Sequence, residues 1–232
     1  MAEELEHPAR KIIVAIDGPA GAGKSTIARH LAERFGLLNL ESGAMYRAFA
    51  LKALRSGTPV SDAAALEALA EKTTITLEPA ESGNRVFLDG EEVTAHLRDA
   101  AVTEAASKVS VFPPIRARMV KLQQQLGARG GVVMEGRDIG TVVFPHAEVK
   151  IFLDAAPEVR GLRRYEQMGP APVAAAEEVV RELRARDERD RNRADSPLKA
   201  AEDAVLIDST NLTLEEVVNE AERIVKKKIS IN

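Results

Sequence analysis

Ile12-Ile-Val-Ala-Ile-Asp-Gly-Pro-Ala-Gly-Ala-Gly-Lys-Ser-Thr-Ile27 decides how this chain folds. Ile12 to Ile16 is a short unbroken apolar run rich in β-branched residues, which reads as a strand covered on both faces. Gly18-x4-Gly23-Lys24-Ser25 follows at once, with the full spacing of a phosphate-binding loop. Its glycines let the backbone turn sharply and bring N–H groups against an anion. The loop runs into a helix with an apolar stripe at Ile27, Leu31 and Phe35, and the amino end of that helix adds partial positive charge. In such a loop Lys24 reaches the β- and γ-phosphates of a nucleotide, and the Ser25 hydroxyl ligates Mg²⁺. The strand before the pattern and the helix after it separate this match from a chance one.

Outward from this stretch, composition sets bounds. The 232 residues suffice for one domain of ordinary size with insertions. With 45% hydrophobic and 29% charged residues the chain reads as globular and not disordered. A formal net charge of −4 gives no electrostatic reason to expect a nucleic-acid partner. There is no cysteine, which excludes disulfides and thiolate metal sites and suits a reducing cytoplasm. No apolar run approaches the ~20 residues of a membrane span. Residues 1–11 carry Glu3, Glu4 and Glu6 without an apolar core, so they read as a flexible lead-in and not a signal peptide. With no tryptophan, two tyrosines and six phenylalanines, the core must be mostly aliphatic. The expectation is a monomer in the cytoplasm.

Past the first helix, Gly36 reads as its C-cap and Leu37 to Leu40 as a second strand. Glu41-Ser42-Gly43 reads as a break before a helix from Ala44 to Arg55, and Ser61 as the cap of another helix through Leu69. Thr73–Leu77, Arg85–Leu88 and Glu91–Thr94, with a polar gap at Gly83-Asn84 and Asp89-Gly90 between the last two, form a small antiparallel sheet of different texture, an insertion. Helices are expected over Ala100–Val109 and Pro113–Leu126, a third buried strand at Val132–Met134 and a fourth at Val149–Leu153. Pro157 opens a helix, Gly169–Pro172 is a loop, and a charged helix covers Ala174–Arg193. Val205–Ile207 is the fifth strand, and the capping box Thr213-Leu-Glu-Glu216 starts the last helix. Five short apolar strands separated by helices predict an α/β fold, a five-stranded parallel sheet with ligands beyond its carboxyl ends.

Several residues at those ends are suited to chemistry. Glu135 stands where phosphate-loop enzymes keep an acid near Mg²⁺, directly or through water, and is otherwise a solvated strand-end carboxylate. Arg137 and Asp138 follow it, either as functional groups or as an ion pair. Arg181 to Arg193 holds six arginines and four acids, which usually means a self-paired solvated face. Arg186, Asp190 and Arg193, at spacings of 4 and 3, nonetheless share one helical face and would present two guanidinium forks to a phosphate. The four histidines, His7, His30, His96 and His146, form no close pair and read as surface residues.

Taken together, Ile16-Asp-Gly-Pro-Ala-Gly-Ala-Gly-Lys-Ser-Thr26, Ser42-Gly-Ala-Met-Tyr-Arg47, Glu135-Gly-Arg-Asp-Ile-Gly-Thr-Val-Val-Phe-Pro145, Arg186-Asp-Glu-Arg-Asp-Arg-Asn-Arg193 and Asp203-Ala-Val-Leu-Ile-Asp-Ser-Thr210 resemble the bacterial-type cytidylate kinases, a family of P-loop nucleoside monophosphate kinases. The resemblance covers nearly all of the chain beyond Arg10. It implies phosphoryl transfer from ATP to CMP or dCMP with Mg²⁺, within pyrimidine nucleotide metabolism. Implied domains are a core (12–56, 111–160 and 194–232), a monophosphate-binding insertion (57–110) and a lid (161–193). ATP would lie on Gly18, Pro19, Ala20, Gly21, Ala22, Gly23, Lys24, Ser25 and Thr26, with Mg²⁺ on Ser25 and, through water, Glu135. Arg47, Arg137 and Arg193 would hold the CMP phosphate, with Ser42 and Tyr46 lining that site. Ser107, Arg116 and Asp138 would read cytosine, Ser110 being an alternative to Ser107 in a looser match, and Arg186 and Asp190 would meet the ribose. Lys24, Arg137, Arg186 and Arg193 would serve the transfer itself. A GTP-binding switch is the rival of another class, but its Asn-Lys-x-Asp and Asp-x-x-Gly motifs are missing. A kinase for another small acceptor is the nearer rival, and a zinc-bearing lid is excluded by the missing cysteines.

Overall fold

The computed structural model describes residues 12–80, 83–167 and 173–230. In chain order its elements are β1 (Ile13–Asp17), α1 (Lys24–Phe35), β2 (Leu38–Glu41), α2 (Ser42–Arg55), α3 (Ala63–Glu71), β3 (Ile75–Ala80), β4 (Gly83–Leu88), β5 (Glu91–Glu92), α4 (Ala100–Val109), α5 (Pro113–Gly127), β6 (Val132–Gly136), β7 (Val149–Asp154), α6 (Pro157–Gln167), α7 (Val173–Asn192), β8 (Val205–Asp208) and α8 (Leu214–Ser230). The apolar run became β1, the middle strand of a parallel sheet ordered β2-β6-β1-β7-β8. A separate antiparallel sheet has the order β3-β4-β5.

Strand alternation sorts the core into two faces. Val14 and Ile16, with Val133, Val149, Ile151 and Leu153, pack with apolar residues of α1 and α8. Ala15, Leu40, Val132 and Met134 point the other way, onto Ile139, Val143 and Phe144. A third cluster joins α2, α3, α4 and α5 to β3 and β4 around the fully buried Phe49. The small sheet is tied to the edge of the large one by Asn84 of β4. Its Oδ1 accepts from the Glu41 amide at 3.1 Å, and its Nδ2 donates to the Asn39 carbonyl at 2.8 Å.

The capping box is present, with the Thr213 amide donating to Glu216 Oε2 at 2.8 Å and the Glu216 amide to Thr213 Oγ1 at 3.3 Å. Other local readings need correction. Asp62, not Ser61, caps α3, because its carboxylate stands three residues before the amide of Ala65 and accepts from it at 3.0 Å. No break separates β2 from α2, which starts at Ser42. Gly83-Asn84 lies inside β4, and the third strand stops at Glu92, where Val93 turns into the core and Thr94 Oγ1 takes the Val86 amide at 2.9 Å. The expected lead-in and the loop Gly169–Pro172 lie outside the described residues. Among those described, no helix is long and apolar enough to cross a membrane.

Truncating Phe49 leaves a cavity within its cluster of packed helices and strands. Phe49→Ala is expected to lower stability by about 3–5 kcal/mol, read from the midpoint shift in denaturant unfolding at unchanged slope.

Candidate active site

The phosphate loop is built at the carboxyl end of β1. Gly18 is at φ 150° and a Cβ there would lie 1.9 Å from the Leu153 carbonyl oxygen, so only glycine allows β7 to approach. Gly23, at φ 95°, precedes α1, and no side chain caps the amino end of that helix. Its first amides are therefore left for an anion. Lys24 is buried and donates to the Pro19 carbonyl at 2.7 Å. Ser25 Oγ donates to Glu135 Oε1 at 2.6 Å, which joins the loop to the end of β6. Burial, with Arg137 nearby and only partly offset by Glu135, pushes the Lys24 ammonium down to about 7.

A second set of charges lies beyond β6. Arg116, from α5, pairs with Asp138 and donates to the Ser110 carbonyl at 3.1 Å, and its guanidinium lies 5.8 Å from the Tyr46 ring centre. Asp138 Oδ1 is 3.9 Å from Arg193 Nη2. Arg137 donates from Nε to Asp190 Oδ2 at 2.9 Å, and Asp190 Oδ1 stands 3.9 Å from Arg193 Nη1. Burial works against the charged form of Asp190, but Arg137 and Arg186 outweigh it and hold the carboxyl below its ordinary range. Arg186 has its Nε buried without a partner, and burial beside Arg137 lowers it to about 10. Tyr46 is pushed up to about 12 by burial, and its hydroxyl has no partner among the described residues. Ser42 Oγ donates to the Glu135 carbonyl at 2.7 Å. Arg47 is drawn aside to Glu41.

The fold thus gathers Arg116, Arg137, Asp138, Asp190 and Arg193 into one set of contacts beyond β6 and joins Ser25 to Glu135 beside them, whereas His30 lies on Glu222 of α8. Of the two serines, Ser110 turns its hydroxyl onto the Ser107 carbonyl at 3.0 Å, whereas Ser107 Oγ accepts from Arg189 Nη2 of α7 at 3.2 Å. Three participants went unread in the sequence. Arg189 was hidden within an arginine run. Arg160 is one of the largest fully buried side chains and donates to the Ala20 carbonyl at 2.9 Å, the Ala155 carbonyl at 2.8 Å and Asp187 Oδ2 at 2.6 Å. Asp17 accepts the amides of Ile139 at 2.8 Å and Gly140 at 2.7 Å, and burial raises it to about 6. A lone acid closing an apolar strand is the one signal that could have marked it.

The sequence model of the cytidylate kinase family matches residues 14–227. The chain belongs to this family. Curated cytidylate kinases similar to it include that of Pasteurella multocida, 45% identical over 95% of this chain and 98% of the relative. That of Solibacter usitatus is 48% identical over 95% of each chain. That of Pelotomaculum thermopropionicum is 50% identical over 88% of this chain and 92% of its own.

The low ammonium value of Lys24 has a measurable consequence. Above pH 7 the free side chain is mostly neutral, and a polyphosphate in the loop favours the charged form. Binding of inorganic tripolyphosphate at pH 8 is expected to draw most of one proton into the site, and little at pH 6. Calorimetry in buffers of different ionisation enthalpy reads this uptake, as the difference between the native chain and Lys24→Met.

Proposed function

We propose that the chain transfers the γ-phosphoryl group of ATP to CMP and dCMP with Mg²⁺, yielding ADP and CDP or dCDP. The observation that supports this reading best is the cluster of the buried Arg116 and Arg193 with the half-buried Arg137 and Arg186 beside a complete phosphate loop. A CMP phosphate oxygen forms a bond to the γ-phosphorus as the bond to the β,γ-bridging oxygen breaks. The attacking oxygen is already anionic, so no base is needed. The obstacle is repulsion between two anions, which Lys24 and the guanidinium groups relieve as water is excluded.

The donor set suits Mg²⁺. Ser25 Oγ and Glu135 Oε1 are 2.6 Å apart at the loop, and no cluster of three or more His, Cys, Asp or Glu is found among the described residues. Such a site suits a cation that takes most of its oxygens from phosphates and water. Ser25 would ligate it directly and Glu135 through water, and the ion would supply neutralising charge at the β- and γ-phosphates. A cleft of about 680 Å³ beyond β7 and β8, lined by Asp154, Ala155, Arg184, Arg191, Leu206 and Thr210, would seat the adenosine. Arg47, Arg137 and Arg193 hold the CMP phosphate beside Ser42 and Tyr46. Ser107, Arg116 and Asp138 read the base, and Arg186 and Asp190 meet the sugar. Residues 57–110 act as the monophosphate-binding insertion and 161–193 as the lid over a core of 12–56, 111–160 and 194–232. The protein works as a monomer in the cytoplasm.

A coupled assay with CMP, dCMP, UMP, AMP and shikimate tests the substrate class. ATP turnover is expected to rise with CMP and dCMP above all, and turnover indifferent to both would reject the reading. Cytosine presents an amino donor at N4 where uracil presents an oxygen, and an ionised carboxylate only accepts. Asp138→Asn is expected to lower kcat/KM for CMP by roughly ten- to a hundredfold, equivalent to the 1.5–3 kcal/mol of a charged hydrogen bond, and to narrow the CMP-over-UMP preference. Asp190→Ala removes both the partner of Arg137 and a carboxylate facing the sugar. Its kcat/KM should drop for both nucleotides, but further for CMP than for dCMP.

A further inference from the structure

Residues Ile139–Val143 form a π-helical turn directly after Asp138. Like any helical start, the turn opens with amides that lack partners within it, and here they are buried. The residue at the capping position is Asp138, a type that ordinarily satisfies such amides with its own carboxylate. It does not do so, for that carboxylate lies on Arg116 and near Arg193. The Ile139 and Gly140 amides instead donate to the two oxygens of Asp17, at 2.8 and 2.7 Å, from a strand 122 residues away in sequence. Asp17 and Gly136 are register partners in β1 and β6, so the two loops leave the sheet side by side. Gly140 is closely surrounded as well: a Cβ there would stand 3.2 Å from Lys150 Cδ and 3.3 Å from Asp17 Oδ2.

We propose that Asp17 caps this turn in place of Asp138 and so frees the Asp138 carboxylate to face the base. Asp17 is a positioning residue for the choice between cytosine and uracil, and the proposal rests on the reading of Asp138 given above. Without Asp17, two buried amides lose their acceptor and compete for the carboxylate of the residue before them, Asp138. A carboxylate drawn back to its own turn cannot accept from the cytosine amino group. Asp17 also adjoins the phosphate loop, but any effect on ATP is common to both acceptors and cancels in the CMP-over-UMP ratio.

The experiment measures that ratio, in kcat/KM and in calorimetric affinity without ATP, for the native chain, Asp17→Ala, Asp17→Asn, Asp138→Asn and the Asp17→Ala/Asp138→Asn double variant. Asp17→Ala is expected to narrow the ratio about tenfold, as Asp138→Asn does, and the double variant to be no narrower than Asp138→Asn alone. Asp17→Asn, whose amide accepts from one N–H and opposes the other, should fall between. If Asp17→Ala does not fold, Asp17→Asn decides by the same ratio. A native ratio in the Asp17 variants beside a narrowed one in Asp138→Asn overturns the proposal, leaves the reading of Asp138 intact, and makes Asp17 a staple of the fold. Additive losses in the double variant also overturn it. A native ratio in Asp138→Asn overturns the reading of Asp138 and the proposal with it.

Discussion

A buried guanidinium group needs a carboxylate beside it, and that requirement organises the functional edge of this molecule. On the proposed function two polyanions meet there, which asks for positive charge held ready out of water. Isolated, such charge would cost several kcal/mol per group. Every strand of the large sheet has an acid at or next to its carboxyl end, Asp17, Glu41, Glu135, Asp154 and Asp208, and two of these meet arginines. Glu41 takes the half-buried Arg47, whereas Asp154 meets Arg191 at 3.4 Å on the exposed surface. Asp138, Asp187 and Asp190, from the loop after β6 and from α7, take Arg116, Arg160 and Arg137. On the proposed function, a phosphate would compete with these carboxylates for guanidinium groups already in place.

The same pairs couple parts of the fold that the chain keeps far apart. Arg160, on α6, joins a carbonyl of the phosphate loop to Asp187 of α7. Arg137, at the end of β6, is held by Asp190 on the same helix as Asp187. The phosphate loop, the end of β6 and the long arginine helix thus share one network of ion pairs and hydrogen bonds. Lys24 shows the effect of such neighbours: burial and the nearby Arg137 depress it, and Glu135 opposes the change. The low dielectric that makes these interactions strong also makes an unmatched group expensive.

The fold was legible wherever period and spacing carry it. An apolar run followed by glycines and a lysine announced β1, the loop and α1, and the five apolar runs announced the parallel sheet. Local chemistry misled at several places, three of them instructive. Ser61 and Asp62 are both good caps, and only the position of the Ala65 amide chose between them. Glu91–Thr94 looks extended, yet burial of Val93 ended the strand early. The turn at Ile139–Val143 left no trace in hydrophobic pattern, because its amides are satisfied by a residue from another strand.

What the sequence by itself determined is the inventory: a phosphate loop, an α/β sheet to carry it, and arginine-rich motifs that resemble one kinase family. Those properties follow from contiguous residues, for which neighbours along the chain set both the spacing and the chemistry. Only the tertiary structure decided which charges meet. Arg137 with Asp190, Arg116 with Asp138, Arg160 with Asp187, and Asp17 with the amides of Ile139 and Gly140 are separated by 53, 22, 27 and up to 123 residues. No periodicity records such partners, since Coulombic and hydrogen-bond contacts depend on distance in space, and that distance is set by how the strands and helices pack.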